Sequence, residues 1–446
     1  MKTARIILKA GPIVHKETAR LLRAPLPIRT SPLNRVLLAK PAMNEVNVLA
    51  MHLAACLIAT LLVTRGVLAQ SEIAPAPLDK LFADAEEQHS TALFVYQKGQ
   101  PVREKFFKAK DERIHLYSIT KVFTSLAVGI AWDKGLIPSI DEPVSTWFPE
   151  IAGDPLKSRL KLRHLLQHTS GIFTTQGSHD IYPQRDFVKF ALESPVITPP
   201  GEEFKYNNRA INVASGIVSK VTGKSMEDLL VANLFRPLGI TEYKFHRDRA
   251  GNTWGMDGLD LKVSDLVKIG CLFADDGRWK GRQIVSEKWL AVATQASLVS
   301  LDRNGAYGLG LFVLEPDGRL TVPVAAVDAL EKAGLSNAIT EKLRQVAGKE
   351  FTGGKEFGKA LKESFSTTEL ETITSVAGHE MMPIYRNLNG RKLLAHSGEI
   401  GEIVLAMPAS GIAVARTIDE KRGRAGDFGF GTIYRRVLDL VPREGP

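Results

Sequence analysis

Ser118-Ile119-Thr120-Lys121 sets a hydroxyl and an amine three residues apart, a spacing that puts both side chains on one face of a helix. Serine is a weak nucleophile until a neighbour takes its proton, and a partly buried lysine is such a neighbour. Val122, Phe123, Leu126, Ala127, Ile130 and Ala131 follow as an apolar stripe at helical spacing, closed by Gly135 and Pro138. Ser118 is therefore expected at the mouth of a helix, where free backbone N–H groups favour developing negative charge. Alone, a Ser-x-x-Lys tetrad carries little weight, and a second occurs at Ser158 and Lys161.

Two further stretches can complete such a site. Pro199-Pro200-Gly201 turns into Glu202-Glu203-Phe204-Lys205-Tyr206-Asn207-Asn208, an extended piece that leads into a helix with Tyr206 and Asn208 on one side. A phenol beside a lysine can share a proton and act as general acid or base. A carboxamide two residues on can orient the lysine or a substrate amide. Tyr385-Arg386-Asn387 repeats the pattern. His396-Ser397-Gly398 ends a strand, where glycine admits close approach of a substrate. The backbone N–H groups of Ser118 and Glu399 are the two donors that an oxyanion would need. His164 and His168 stand four apart, but no glutamate occupies the zinc-protease position and no third ligand follows, so neither metal nor cofactor is expected.

The elements that must position these groups read as follows. Leu78 to His89 is helical. Thr91 to Tyr96 and Val102 to Phe107 are strands around a Lys98-Gly99-Gln100-Pro101 turn. Helices follow the serine at Leu160–His168, Asn212–Thr222, Met226–Phe235, Val263–Ala274 and Val285–Ala293. Ala326 to Glu369 is charged and helix-forming without strand signal. Strands return at Lys392–His396, Ile403–Met407 and Ile412–Thr417, before an amphipathic helix over Phe428–Leu440. Strands at both ends with helices between predict an α+β fold: an antiparallel sheet built from both chain ends and flanked by helices, plus a mainly helical domain.

The 446 residues are 44% hydrophobic and 24% charged, as in ordinary globular proteins. The net charge of +9 is concentrated in residues 1–69, which hold ten basic and two acidic side chains. The near-neutral remainder gives no footprint for nucleic acid. Within 1–69 an apolar run from Val48 to Val63 precedes Val67-Leu68-Ala69, a small-residue cleavage pattern. Export to the periplasm or medium is the expectation, with membrane contact only through this leader if it stays uncleaved. Of the two cysteines, Cys56 lies in the leader, and Cys271 reads as a buried apolar position in a helix.

Taken in order, Ser118-x-x-Lys121, Tyr206-x-Asn208 and His396-x-Gly398 resemble the three signature elements of the serine β-lactamase and penicillin-binding-protein superfamily. The resemblance is to its class C-like branch of related serine hydrolases, which includes esterases, D-amino-peptide hydrolases and nylon-oligomer hydrolases. Leu165 to Gly171, Phe235 to Ile240, Gly258 to Asp265 and Tyr307 to Gly310 are similar to the family as well, so that the likeness covers about residues 78–317 and 390–440. It sets aside Ser158, which stands just before the Leu165–Gly171 segment, and Tyr385, which stands too close to His396.

The resemblance implies a β-lactamase/transpeptidase-like domain over 70–446. Its sheet subdomain would span about 75–117 and 300–446, and its helical subdomain about 118–299. It implies that Ser118 is acylated, that Lys121 is the base and that Tyr206 assists proton transfer to the leaving group. Asn208 would position Lys121 or the substrate, and His396, Gly398 and Glu399 would line the far strand and the oxyanion hole. The substrate would be a small ester, amide or peptide.

Two departures bear on that substrate. His396 stands where members that recognise β-lactams usually carry lysine, which favours an esterase or amidase over a β-lactamase or D,D-peptidase, while the three intact signature elements argue against a non-catalytic sensor on the same fold. In addition, His396 stands 86 positions after Gly310, so that 318–389 is expected to be a helical insertion that caps the cleft and restricts substrate size.

Overall fold

The computed structural model describes residues 73–441, apart from 109, 176, 296–297, 301–304, 316–318, 380–385, 389–390 and 425–428. The leader reading of residues 1–69 and the alternative tyrosine Tyr385 lie outside the described residues. The chain opens with helix α1 (Pro75–Glu87) and the hairpin β1 (Ser90–Gln97) and β2 (Gln100–Phe106). Its turn residues Lys98 and Gly99 have φ of 51° and 72°, the left-handed pair that a two-residue hairpin loop requires.

The short β3 (Ile114–His115) leads into the Ser118 turn and helix α2 (Thr120–Asp133). Helices α3 (Leu162–Leu166), α4 (Phe187–Glu193), α5 (Asn208–Thr222), α6 (Val263–Ala274) and α7 (Glu287–Ala293) follow, with β4 (Tyr243–Phe245) and β5 (Leu259–Leu261) between α5 and α6, and β6 (Arg278–Trp279) and β7 (Arg282–Gln283) between α6 and α7. Next come β8 (Leu298–Ser300), β9 (Gly305–Tyr307) and β10 (Phe312–Leu314). The chain closes with β14 (Leu393–Ser397), β15 (Ile403–Met407), β16 (Ile412–Ile418) and helix α12 (Phe430–Asp439).

Eight of these strands form one sheet in the order β2-β1-β16-β15-β14-β10-β9-β8, antiparallel at every pairing. The sheet is thus assembled from both ends of the described chain, as the sequence predicts. Period-two alternation assigns its faces. Leu93, Val95, Leu405, Met407 and Val414 pack with Leu78, Leu81 and Phe82 of α1 and Ile433 and Val437 of α12. Ala92, Phe94, Val404, Ala406, Ala413 and Ala415 turn the other way, into the core built from α2, α5 and α6.

Helix α6 comes from the segment assigned by sequence to the helical subdomain, yet it lies on the sheet. A side chain at Gly270 would meet the Leu405 carbonyl oxygen at 2.8 Å, so glycine there is what permits the close approach. The same segment also holds strands. β3, β5 and β4 form a small antiparallel sheet, and the β6–β7 hairpin a second.

Residues 319–388 differ from the expected all-helical insertion. Helices α8 (Val324–Lys332), α9 (Asn337–Val346), α10 (Gly353–Ser364) and α11 (Thr367–His379) are joined by a three-stranded sheet of β11 (Arg319–Thr321), β12 (Phe351–Thr352) and β13 (Arg386–Leu388). These strands are two or three residues long and carry charged or polar side chains, too short for any period to show. Val327, Leu330, Leu343, Phe357 and Phe365 give the segment a core of its own. No helix among the described residues is long and apolar enough to cross a membrane. Cys271 is buried in α6, and burial pushes its thiol up to about 12, which fits packing rather than reactivity.

Candidate active site

Ser118 sits in a 3-10 turn, Tyr117–Ile119, that runs straight into α2. Tyr117 before it holds φ 47°, an uncommon backbone for a residue with a side chain, and a kind of strain concentrated at functional sites. The turn is tied down on the β5 side. Leu116 N–H donates to the Leu259 carbonyl at 2.8 Å, and Thr124 Oγ1 donates to the Gly255 carbonyl at 2.8 Å.

One helical turn on, Lys121 is fully buried. Its Nζ lies 3.1 Å from Ser118 Oγ and 2.7 Å from the Met256 carbonyl oxygen, and 4.9 Å from the centre of the Tyr206 ring. The pair is thus within hydrogen-bond reach, the geometry that a nucleophile and its base need. Met256 is itself held in place. Asn212 Oδ1 on α5 accepts from the N–H groups of Gly255 and Met256 at 2.8 and 3.3 Å. From the other side, Gly310 has φ 82°, and a side chain there would meet the Lys121 carbonyl oxygen at 2.8 Å. That is the physical reason for glycine at the end of Tyr307-Gly308-Leu309-Gly310.

Tyr206 precedes α5, whose N-cap Asn207 accepts from the N–H groups of Arg209 and Ala210. The Tyr206 ring is half-buried and packs 4.3 Å from the His168 ring. Asn208 does not reach Lys121 in this structure. Its Nδ2 donates to Ser178 Oγ at 2.7 Å, and its Oδ1 is buried without a partner. Nearby, Tyr182 donates to Asp257 Oδ2 at 2.6 Å, and burial, with Asp257, holds the phenol well above its usual range.

His396 lies on β14 and is 1% exposed. Both ring nitrogens are engaged. Nδ1 bonds the Ser397 carbonyl at 3.0 Å, and Nε2 bonds the Tyr307 hydroxyl at 3.1 Å. Tyr307 in turn bonds His168 Nε2 at 3.3 Å, and His168 Nδ1 accepts from the Asn207 N–H at 3.1 Å. The ends of this chain fix its protons. A backbone N–H can only donate, so His168 Nδ1 is bare and Nε2–H points at Tyr307. A carbonyl can only accept, so His396 Nδ1 carries hydrogen, and in the neutral ring Nε2 accepts from the Tyr307 O–H. Every bond is satisfied with both imidazoles neutral. Burial, and after it the Lys121 charge, drives His168 well below its ordinary pKa.

Tyr307→Phe would strand the His168 donor and the His396 acceptor in the core. A loss of about 2–4 kcal/mol is expected, read by denaturant unfolding. An unchanged midpoint would rule the chain out as a structural element.

Gly398 follows β14 and abuts the serine turn, since a side chain there would lie 3.0 Å from the Leu116 carbonyl oxygen and overlap Glu402 Oε2. Glu399 follows it and is exposed. Glu402 was not singled out by sequence. It is 2% exposed with Oε2 unpartnered, and burial pushes its carboxyl up to about 7. An unfolded glutamate near 4.5 has lost its proton where the folded one still holds it. Glu402 should therefore lower stability progressively as pH rises from about 4.5 to about 7, by on the order of 3 kcal/mol, with no further change above. Glu402→Gln should flatten that part of the pH–stability curve, and an identical slope in the variant would remove Glu402 as its source.

The remaining candidates fall elsewhere. His164 Nδ1 accepts from the Lys161 N–H at 3.2 Å, while His168 serves the chain above, so the two do not converge on a metal. Ser158 Oγ donates to the Pro155 carbonyl at 3.1 Å, and Lys161 lies 3.6 Å from Asp141.

The sequence profile of the beta-lactamase family matches residues 78–425, most of the chain. The chain belongs to the beta-lactamase family. A 6-aminohexanoate-dimer hydrolase of Paenarthrobacter ureafaciens is 25% identical over 255 residues, 53% of this chain and 64% of that protein. A monacolin J acid methylbutanoyltransferase of Aspergillus terreus is 27% identical over 161 residues, 30% of this chain and 38% of that protein. Both matches thus span less than two thirds of the relative. Among solved structures, a class C beta lactamase from Rhodobacter sphaeroides superposes with a TM-score of 0.52 at 15% identity, covering 82% of this chain and all of that one. This likeness establishes the family fold, with its sheet from both chain ends and its helices on either face.

Proposed function

We propose that the protein is a serine hydrolase that cleaves a small ester or amide through an acyl-enzyme on Ser118. The observation that carries this is the Lys121 amine, 3.1 Å from Ser118 Oγ, with its other hydrogen bond made to an uncharged carbonyl. In its neutral form the amine takes the Ser118 proton as Oγ attacks the substrate carbonyl. Tyr206, with its ring on Lys121, relays a proton to the leaving group. The N–H groups of Ser118 and Glu399 receive the oxyanion. Water then attacks the acyl carbon and regenerates the hydroxyl.

His396 supports an ester or amide over a β-lactam. In its place a lysine would present a cation to a substrate carboxylate, whereas this ring is buried and hydrogen-bonded at both nitrogens. Transfer of the acyl group to an alcohol instead of water is the second reading, favoured by the methylbutanoyltransferase relative. Residues 318–389 act in this proposal as the cap that limits substrate size. The full chain, incubated with a p-nitrophenyl ester and separately with a penicillin, tests the reading by intact mass and product release. Ester turnover with a transient acyl mass on Ser118 and no penicillin adduct supports it. A penicillin adduct on Ser118 would replace it with a β-lactamase or D,D-peptidase. Turnover rising when an alcohol is added would favour the transferase.

A further inference from the structure

We propose that His115, His246 and Asp260 form a binding site for one divalent transition-metal ion of the zinc class, on the segment that leads into Ser118. Each residue offers one ligand atom, and these atoms all lie within 4.8 Å of one another. His115 Nδ1 is 2.8 Å and His246 Nε2 is 3.5 Å from the same oxygen, Asp260 Oδ1. Around a tetrahedral zinc with bonds of about 2.0–2.1 Å, neighbouring donors sit about 3.4 Å apart. The two separations bracket that value, so small side-chain adjustments seat the ion. Two imidazoles and a carboxylate are a donor set that zinc accepts with its fourth position open.

The backbone holds these donors in advance. His115 on β3 is directly opposite Asp260 on β5. His246 follows β4, and its N–H donates to the Gly258 carbonyl at 2.7 Å while its own carbonyl accepts from Trp254. All three donors are therefore carried by one small sheet. The rings are also braced. His115 meets the Tyr117 ring edge-on at 4.4 Å, and the His246 ring lies 5.2 Å from that of Trp254. A cross-strand hydrogen bond between His115 and Asp260 accounts for two of the three residues. His246 packs its ring against those of His115 and Trp254 and turns Nε2 to 3.5 Å from the same oxygen, longer than a good hydrogen bond, and a shared ion accounts for that convergence. The side chains are between 20% and 30% exposed, so an ion can enter and a water can fill the open position.

Tyr117 links this site to the nucleophile turn. It rests on His115 and holds the left-handed backbone immediately before Ser118. An ion that fixes His115 therefore stiffens the turn, and its first consequence is stability rather than chemistry.

The test is calorimetric titration of the chelator-stripped full chain with zinc chloride, with thermal unfolding in parallel. One equivalent bound and a raised unfolding temperature are expected. His246→Ala and Asp260→Asn should each weaken binding by at least roughly tenfold and remove the thermal shift, while unfolding like the parent in chelator. If His246→Ala unfolds early in chelator, His246→Gln serves as the ring-free variant. Absence of binding and of a thermal shift at millimolar zinc would overturn the site. So would equal affinity in the variants, which would place the ion elsewhere.

Discussion

Ser118→Ala is expected to reduce hydrolysis by roughly 10⁴- to 10⁶-fold while leaving the fold intact. The size of the loss follows from the chemistry, because no other group can form the acyl bond once the hydroxyl is gone. The small structural cost follows from the surroundings. Ser118 lies in a 3-10 turn that alanine can adopt, and its hydroxyl accepts a hydrogen bond from Lys121, which keeps its bond to the Met256 carbonyl. Unfolding should shift by no more than about 1 kcal/mol. The variant should also show no acyl mass in the presence of an ester. Activity within tenfold of the parent would sink the assignment of Ser118, whatever substrate was used.

The pairing of Ser118 with Lys121 was legible in the sequence because it is local. Three residues on a helix bring them together, and the apolar stripe after Lys121 fixes which way the helix faces. The same is true of β15 and α6, whose bounds the period of their apolar residues gives directly. What holds Lys121 was not legible. Met256 contributes a backbone carbonyl, which leaves no mark on residue type, and Asn212 acts on Met256 rather than on substrate. The chain through His168, Tyr307 and His396 joins positions 139 and 89 residues apart, so that only the closed sheet reveals it. Tyr307 and His168 both fall in segments that resemble the family, yet resemblance marks a position and not its partner. The protein partner of Asn208 was not legible for a related reason. One residue of register at the N-terminus of α5 makes Asn207 the cap and sends Asn208 to Ser178. The strands of the 319–388 insertion were invisible because two or three residues have no period.

Lys121→Met is the sharper test, since it separates a base from a structural lysine. Methionine is unbranched and close in length, so it can occupy the same buried channel against the Tyr206 ring. It removes two hydrogen bonds, to Ser118 Oγ and to the Met256 carbonyl, at a cost of about 1 kcal/mol each. It also removes the desolvation cost of burying a polar head group, which offsets much of that loss. Stability should therefore change by less than about 2 kcal/mol. Turnover should fall far more, by roughly 10²- to 10⁴-fold, the range that a positioned base contributes. If Lys121 served structure alone, turnover of the folded variant would stay near that of the parent. Lys121→Ala gives a second, independent reading, because it leaves a channel open beside Ser118 Oγ. A small primary amine diffusing into that channel should restore part of the rate in Lys121→Ala but not in Lys121→Met, where the side chain blocks it. Rescue of both variants alike, or of neither, would argue that the amine of Lys121 is not the group that takes the Ser118 proton.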